Sequence, residues 1–313
     1  MELVRDLLAD YTLRNVMLGA VILGCVSGVL GCFAILRRQG LMGDALSHAA
    51  LPGVCLAYLL TGQKAPVVLM AGAAVACWVA MWLVLLLLRR TRIDSGAALG
   101  TVLTIFFGAG VVLLTLLQKR NDANQAGLDR YLFGQAAALV QEQVVTMAVL
   151  GGSALLVVLL LYKEFQLIAF DPEFARTLGL PARFLETLLT GLLVVAIVIG
   201  LNTVGIVLMS ALLVGPAVTA RQWTHSLGRM IGYAGVFGAL AGVFGALVSV
   251  RETRMPTGPV IILCIAVMVI LSVLFGAAQG VVWERVRRRR HAPEPPPATG
   301  EPCPVPPATG GRP

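Results

Sequence analysis

Nine apolar windows of roughly 20 residues recur along the chain, at about 15–36, 40–61, 65–88, 96–117, 143–162, 184–203, 205–220, 230–250 and 259–282. A window of that length is what a helix needs to cross the hydrocarbon core of a bilayer. Inside lipid every backbone N–H and C=O has to be satisfied within the protein, so windows of this kind specify helices and exclude an open sheet. Hydrophobic residues make up 58% of the 313 positions and charged ones 13%, with a mean hydropathy of +0.87, outside the range of soluble domains. The expected fold is an all-α polytopic membrane protein of about nine transmembrane helices. An eight-span count stays open, because the run from Leu188 to Ala220 is interrupted only by Asn202, Thr203, Gly205, Ser210 and Gly215-Pro216.

The net charge of +8 does not point to nucleic acid, because the cations sit between apolar windows and in a terminal cluster, as a topology signal requires. Placing Arg37-Arg38, Arg89-Arg90-Arg92, the Lys163–Arg183 loop, Arg221 to Arg229 and the Arg285–Arg290 cluster on the cytoplasmic side puts 15 of the 24 Lys and Arg residues there. The N-terminus is then outside, the C-terminus inside, and the second window runs outward. Residues 1–14 are expected to be an extracytoplasmic lead, 15–282 the transmembrane domain, and 283–313 a basic then Pro-rich cytoplasmic tail without fixed structure. Glu2, Arg5, Asp6, Asp10 and Arg14 all precede the first apolar window, which does not read as a cleavable leader. The six cysteines form no C-x-x-C pair and read as small core residues.

Within the second window, the stretch LMGDALSHAALPG from Leu41 to Gly53 carries Asp44 and His48 four residues apart. On a helix they share a face, with Cβ atoms roughly 5–6 Å apart. His48 lies about eight residues into its window, roughly 12 Å deep at 1.5 Å per residue, near the midplane where transporter sites are found. Ionisable residues at that depth are expensive and mark substrate paths. A carboxylate with an imidazole is also a ligand set that divalent transition metals accept. The bland alternative is a buried pair that fixes helix packing. Pro52 has no N–H for the carbonyl of His48, so a kink and a free acceptor are expected beside the pair. Two ligands do not complete a metal site, which usually has four. Asn202 and Thr203, at the polar break between the sixth and seventh windows, are weaker candidates, and Cys55 reads as core.

Three further stretches have readable roles. Gln118 to Glu142 is too polar to span and is expected outside. In the cytoplasmic Tyr162–Pro181 loop, Asp171-Pro172 reads as a helix start with acidic Glu173 in the first turn, and Gly179 followed by Pro181 as a stop. The short helix from about Pro172 to Leu178 carries Phe174, Ala175 and Leu178 on one face, which needs a cover. In the eighth window, Gly238 and Gly242 have G-x-x-x-G spacing, which lets helices approach closely. Spacing alone does not separate contact within one protomer from contact between two, and packing inside the bundle is the expectation.

The three lysines, Lys64, Lys119 and Lys163, are preceded by Gln63, Gln118 and Tyr162. There is therefore no G-x-x-x-x-G-K-[ST] phosphate loop, and the chain is not expected to hydrolyse ATP itself. It also has no H-E-x-x-H helix and no G-x-S-x-G elbow, which argues against an intramembrane protease or hydrolase. A transporter core remains, not an enzyme. On the residues alone, a secondary transporter relaying protons through Asp44 and His48 is the alternative.

The run GLMGDALSHAALPGVCLAYLL closely resembles the signature of permease subunits of ABC importers for zinc, manganese and iron(II), the metal ABC-3 family. The similarity continues through AGLDRYLFGQAAAL, LLYKEFQLIAFDPEFARTLGLP, IGLNTVGIVLMSALLVGPAVTARQW and MPTGPVIIL, so it spans most of the chain to about Val282. The resemblance implies a type II importer bundle of eight to ten helices in a bacterial cytoplasmic membrane, with two permeases side by side and the pathway between them. It implies two cytoplasmic ATPase subunits that carry the ATP, an extracytoplasmic metal-binding lipoprotein, and a second permease that is either another copy or a related chain. No cofactor is held permanently; the zinc, manganese or iron ion is cargo. Asp44 and His48 match the motif's acidic residue and histidine that contact the metal in transit. Asp171 to Gly179, with Phe174, Ala175 and Leu178, matches the coupling helix that docks in a groove of the ATPase. Cys55 departs from the small apolar residue expected at its place.

Overall fold

A computed structural model describes residues 11–63, 65–119, 139–251, 257–278 and 280. They form eleven helices: α1 Tyr11–Leu36, α2 Met42–Thr61, α3 Pro66–Arg90, α4 Ser95–Lys119, α5 Gln141–Leu160, α6 Tyr162–Phe170, α7 Pro172–Thr177, α8 Ala182–Thr203, α9 Ile206–Arg221, α10 Leu227–Arg251 and α11 Thr257–Phe275. Eight are long and apolar enough to cross a membrane. The exception among the nine expected windows is α9, whose 16 residues extend about 24 Å against a hydrocarbon core of about 30 Å. The last window ends sooner than expected, at Phe275, where Gly276 donates to the carbonyl of Ser272. The residue 118–142 loop lies mostly outside the described residues, as do 1–10 and the tail beyond 280.

Local chemistry sets the helix ends. Gly62 closes α2 in the left-handed region at φ +66°, its N–H donating to Tyr58 O at 2.8 Å, a conformation glycine adopts without steric cost. Pro66 opens α3, where its missing N–H is not needed. Arg89 and Arg90 in the last turn of α3 complement the negative end of the helix dipole.

Helix α1 is the axis of the bundle, in contact with α5, α8, α9 and α10. Against α10 it runs antiparallel through a ladder of small residues: Ala20 faces Gly242, Gly24 faces Gly238 and Gly28 faces Ala234. The G-x-x-x-G stripe of α10 is thus used inside the protomer, as expected. Where lipid tails are as apolar as the side chains, such close contact supplies van der Waals packing that burial alone does not. A second pair of glycines, Gly53 and Gly72, brings α2 against α3. On the other flank of α2, Gly110 of α4 leaves room for Leu51 and Pro52.

Between α8 and α9 the chain reverses. Gly205 has φ +89° and ψ 168°, a region open almost only to glycine. Met209 lies over Gly200, nine residues back, whereas a continuous helix would hold the two about 13 Å apart. The alternating directions bring the ends of α1, α3 and α9, the starts of α2 and α8, and the helices α6 and α7 to one end of the bundle. Arg37, Arg89, Arg90, Arg183 and Arg221 therefore share that end. The sequence led to one short helix in the loop after α5. The structure has two, because Tyr162–Phe170 buries Phe165 and Ile168 before α7 begins.

Candidate functional site

Asp44 is the third residue of α2 and the acidic residue of its first turn, where the helix N-terminus favours a carboxylate. One turn on, His48 Nε2 stands 3.4 Å from Asp44 Oδ1, with side-chain exposures of 18% for His48 and 38% for Asp44. The two side chains therefore meet as the spacing predicts, on a face that is partly open. From α4, Phe107 sets its ring against the imidazole, with centroids 4.8 Å apart and planes at 75°. That contact had no sequence signal: IFFGAG reads as one more stretch of apolar helix. His48 Nδ1 and the neighbouring Ser47 Oγ are buried, with no hydrogen-bond partner among the described residues.

The separation suits chelation. Bonds of 2.0–2.1 Å to nitrogen and 2.0–2.2 Å to oxygen, at a tetrahedral angle, place the two donor atoms about 3.4 Å apart. A divalent ion could sit between Oδ1 and Nε2 when the imidazole nitrogen facing Asp44 is free of its proton. Among the described residues no third His, Cys, Asp or Glu joins the pair. Pro52 does not end α2, which continues to Thr61, and the His48 carbonyl receives no amide hydrogen from position 52. Asn202 lies in the last turn of α8, beside the Gly205 reversal. Cys55 is fully buried core.

At the Arg-rich end, Asp171 caps α7. Its Oδ1 accepts from Glu173 N at 3.1 Å and from Phe174 N at 2.9 Å, satisfying two of the amides that a helix start leaves unpaired. Pro172 takes the first helical position and Gly179 ends the turn at φ +77°. Phe174 is 52% and Leu178 58% exposed, and Phe170 and Phe184, in the neighbouring helices, are exposed as well. Ala175 does not share that face, contrary to expectation. It is fully buried, because the turn closes with Leu180 N donating to Ala175 O and folds that side of α7 inward.

The model of the ABC 3 transport family matches residues 9–276. The zinc transport system membrane protein TroC of Treponema pallidum is 45% identical over 290 residues, covering 93% of this chain and 97% of that one. The chain belongs to the ABC 3 transport family. The manganese transport system membrane protein MntC of Bacillus subtilis is also 45% identical, over 88% of this chain and 63% of that longer relative. Among solved structures, PsaBC from Streptococcus pneumoniae in complex with Fab has a chain that superposes with a TM-score of 0.78 at 30% identity, covering 91% of this chain and 99% of that one. As a member of the ABC 3 transport family with eight membrane-length helices, the chain is a multi-pass membrane permease. Two features stand out on this ABC 3 permease: the partly open Asp44–His48 pair and exposed apolar residues at the Arg-rich end.

Proposed function

We propose that the chain is the permease subunit of an ATP-binding-cassette importer that carries a divalent transition metal, zinc, manganese or iron(II), into the cytoplasm. The observation that carries this reading is the Asp44–His48 pair, 3.4 Å apart on a membrane-spanning helix. The zinc and manganese systems named for its relatives support it. Asp44 and His48 contact the ion in transit. Separate ATPase subunits dock on the surface of Phe174 and Leu178, with Asp171, Pro172, Glu173 and Gly179 shaping that helix. An extracytoplasmic metal-binding lipoprotein delivers the ion, and a second permease faces this one across the pathway. The N-terminus lies outside and the C-terminus inside, in a bacterial cytoplasmic membrane.

A transit site has to let go. When a metal takes Nε2, the ring proton moves to Nδ1, and a tightly bound metal's histidine normally donates that proton to an acceptor, whose loss costs 10–100-fold in affinity. Among the described residues His48 Nδ1 has no such partner. With two candidate ligands and no outer-shell acceptor among the described residues, the site holds a divalent ion weakly enough to release it. The test is uptake of zinc, manganese and iron(II) into proteoliposomes holding the permease with its ATPases, with ATP inside and the loaded binding protein outside. ATP-dependent uptake supports the reading. Uptake that needs no ATP and collapses with a proton gradient overturns it.

A further inference from the structure

Between the apolar patch and the metal pair lies one contact that the function above leaves unused. Arg37, the first residue beyond α1, places Nη2 3.6 Å from Glu186 Oε1 in the first turns of α8, with side-chain exposures of 17% and 26%. Among the described residues it is the one ion pair joining two different helical segments; the other is the local Asp44–His48 pair. Burial pulls the Arg37 guanidinium below its ordinary range and the Glu186 carboxylate opposes that fall. The charge is therefore held in a partly desolvated place, where losing its partner costs more than at an open surface.

What the pair connects is specific. On one side, α7 is followed by a closed turn, in which Gly179 N donates to Arg176 O at 3.1 Å, Leu180 N to Ala175 O at 3.2 Å and Ala182 N to Leu180 O at 2.8 Å. That turn leads directly into α8 and to Glu186. On the other side, Arg37 sits in an equally closed turn, with Arg37 N on Phe33 O, Gln39 N on Ala34 O and Met42 N on Gln39 O, and Arg38 holding φ +57°. Asp44 follows Arg37 by seven residues. A second contact grips the same end of α1: the ring of Phe165 in α6 meets that of Phe33 edge to face at 5.9 Å, both fully buried. The segments flanking α7 thus hold the end of α1 at two points, one apolar and one ionic.

We propose that Arg37 and Glu186 are positioning residues for transport: their ion pair is the strut through which displacement of α7 by an ATPase is passed to the turn that aims α2 and its Asp44–His48 pair. This rests on the ATP-driven reading above. Phe165 against Phe33 keeps the two segments packed, while the ion pair fixes their direction relative to each other. The strut touches neither the metal nor the docking patch, so its loss separates two activities that are otherwise linked.

The experiment uses the complete complex of permease, ATPases and binding protein in proteoliposomes, with manganese and zinc uptake and ATP hydrolysis measured on the same preparation. For Glu186→Gln and Arg37→Gln, the ratio of ions transported to ATP hydrolysed is expected to fall about two- to thirtyfold, the range spanned by intermediary coupling residues. ATPase association and hydrolysis stay near wild type. The double variant Arg37→Glu with Glu186→Arg is expected to recover most of the ratio. A purely structural role would instead lower assembly, hydrolysis and uptake together, leaving the ratio unchanged, and would overturn the proposal. Unchanged uptake in both single variants would overturn it as well. If wild-type uptake itself ignores ATP, the importer reading fails before the strut is tested.

Discussion

Gly24 of α1 and Gly238 of α10 meet backbone against backbone, each leaving no room for a Cβ on the other. With Ala20 against Gly242 and Gly28 against Ala234, the contact extends over about two turns and fixes the axis on which the other helices pack. Adding a side chain has to push α10 away along that whole seam. Gly238→Val is expected to destabilise the permease by about 1–3 kcal/mol or more, the usual cost of overpacking a filled interior. Gly232→Ala, where a Cβ meets open space, should cost nothing. Thermal unfolding of both variants in the same detergent checks this, and equal melting temperatures would contradict the seam.

Asp44→Ala and His48→Ala are each expected to lower metal uptake by at least the 10–100-fold that even outer-shell losses cost at metal sites. Because Asp44 is partly exposed and on the first turn of α2, its removal leaves the packing intact. Assembly with partner subunits should therefore survive, as gel filtration of the purified complex would show. Full uptake in both variants removes these residues from the pathway.

Asp171→Ala unpairs two amides at the start of α7 and is expected to cost about 0.5–2 kcal/mol of local stability. Asp171→Asn, another good cap, should retain most of it. Phe174→Asp puts a charge on the exposed patch without touching the cap. Pull-down of the ATPase from membranes should weaken strongly for Phe174→Asp, partly for Asp171→Ala and little for Asp171→Asn. An undiminished pull-down with Phe174→Asp would move the docking surface elsewhere.

The hydropathy that sets each helix was legible because lipid makes a simple demand: the window around His48, read as 40–61, is Met42–Thr61, and the window read as 184–203 is Ala182–Thr203. The Asp44–His48 contact was legible for the same reason, since helical spacing alone places the two side chains together. Phe107 and Glu186 were not. Each reaches its partner across the bundle, and which of many apolar or charged residues lands opposite His48 or Arg37 depends on helix tilt and rotation, which periodicity does not carry. Ala175 failed for a related reason. In a six-residue helix the closing turn decides which side faces inward, and spacing within the helix says nothing of that turn.

Gly205 decides whether the run from Leu188 to Ala220 is one interrupted helix or two. At φ +89° and ψ 168° it is buried, and an L side chain there costs about 1–3 kcal/mol. Gly205→Ala is expected to lose that much, or to relax the reversal and shift α9, which touches α1, α2, α10 and α11. A shift would disturb Leu213, which packs over Gly43 one residue before Asp44. The variant should therefore lower both the melting temperature and metal uptake. Gly232→Ala in α10 serves as the control, with ordinary helical backbone and open space. If Gly205→Ala melts with the wild type and transports normally, the reversal is not held at this residue, and the break between α8 and α9 has another cause.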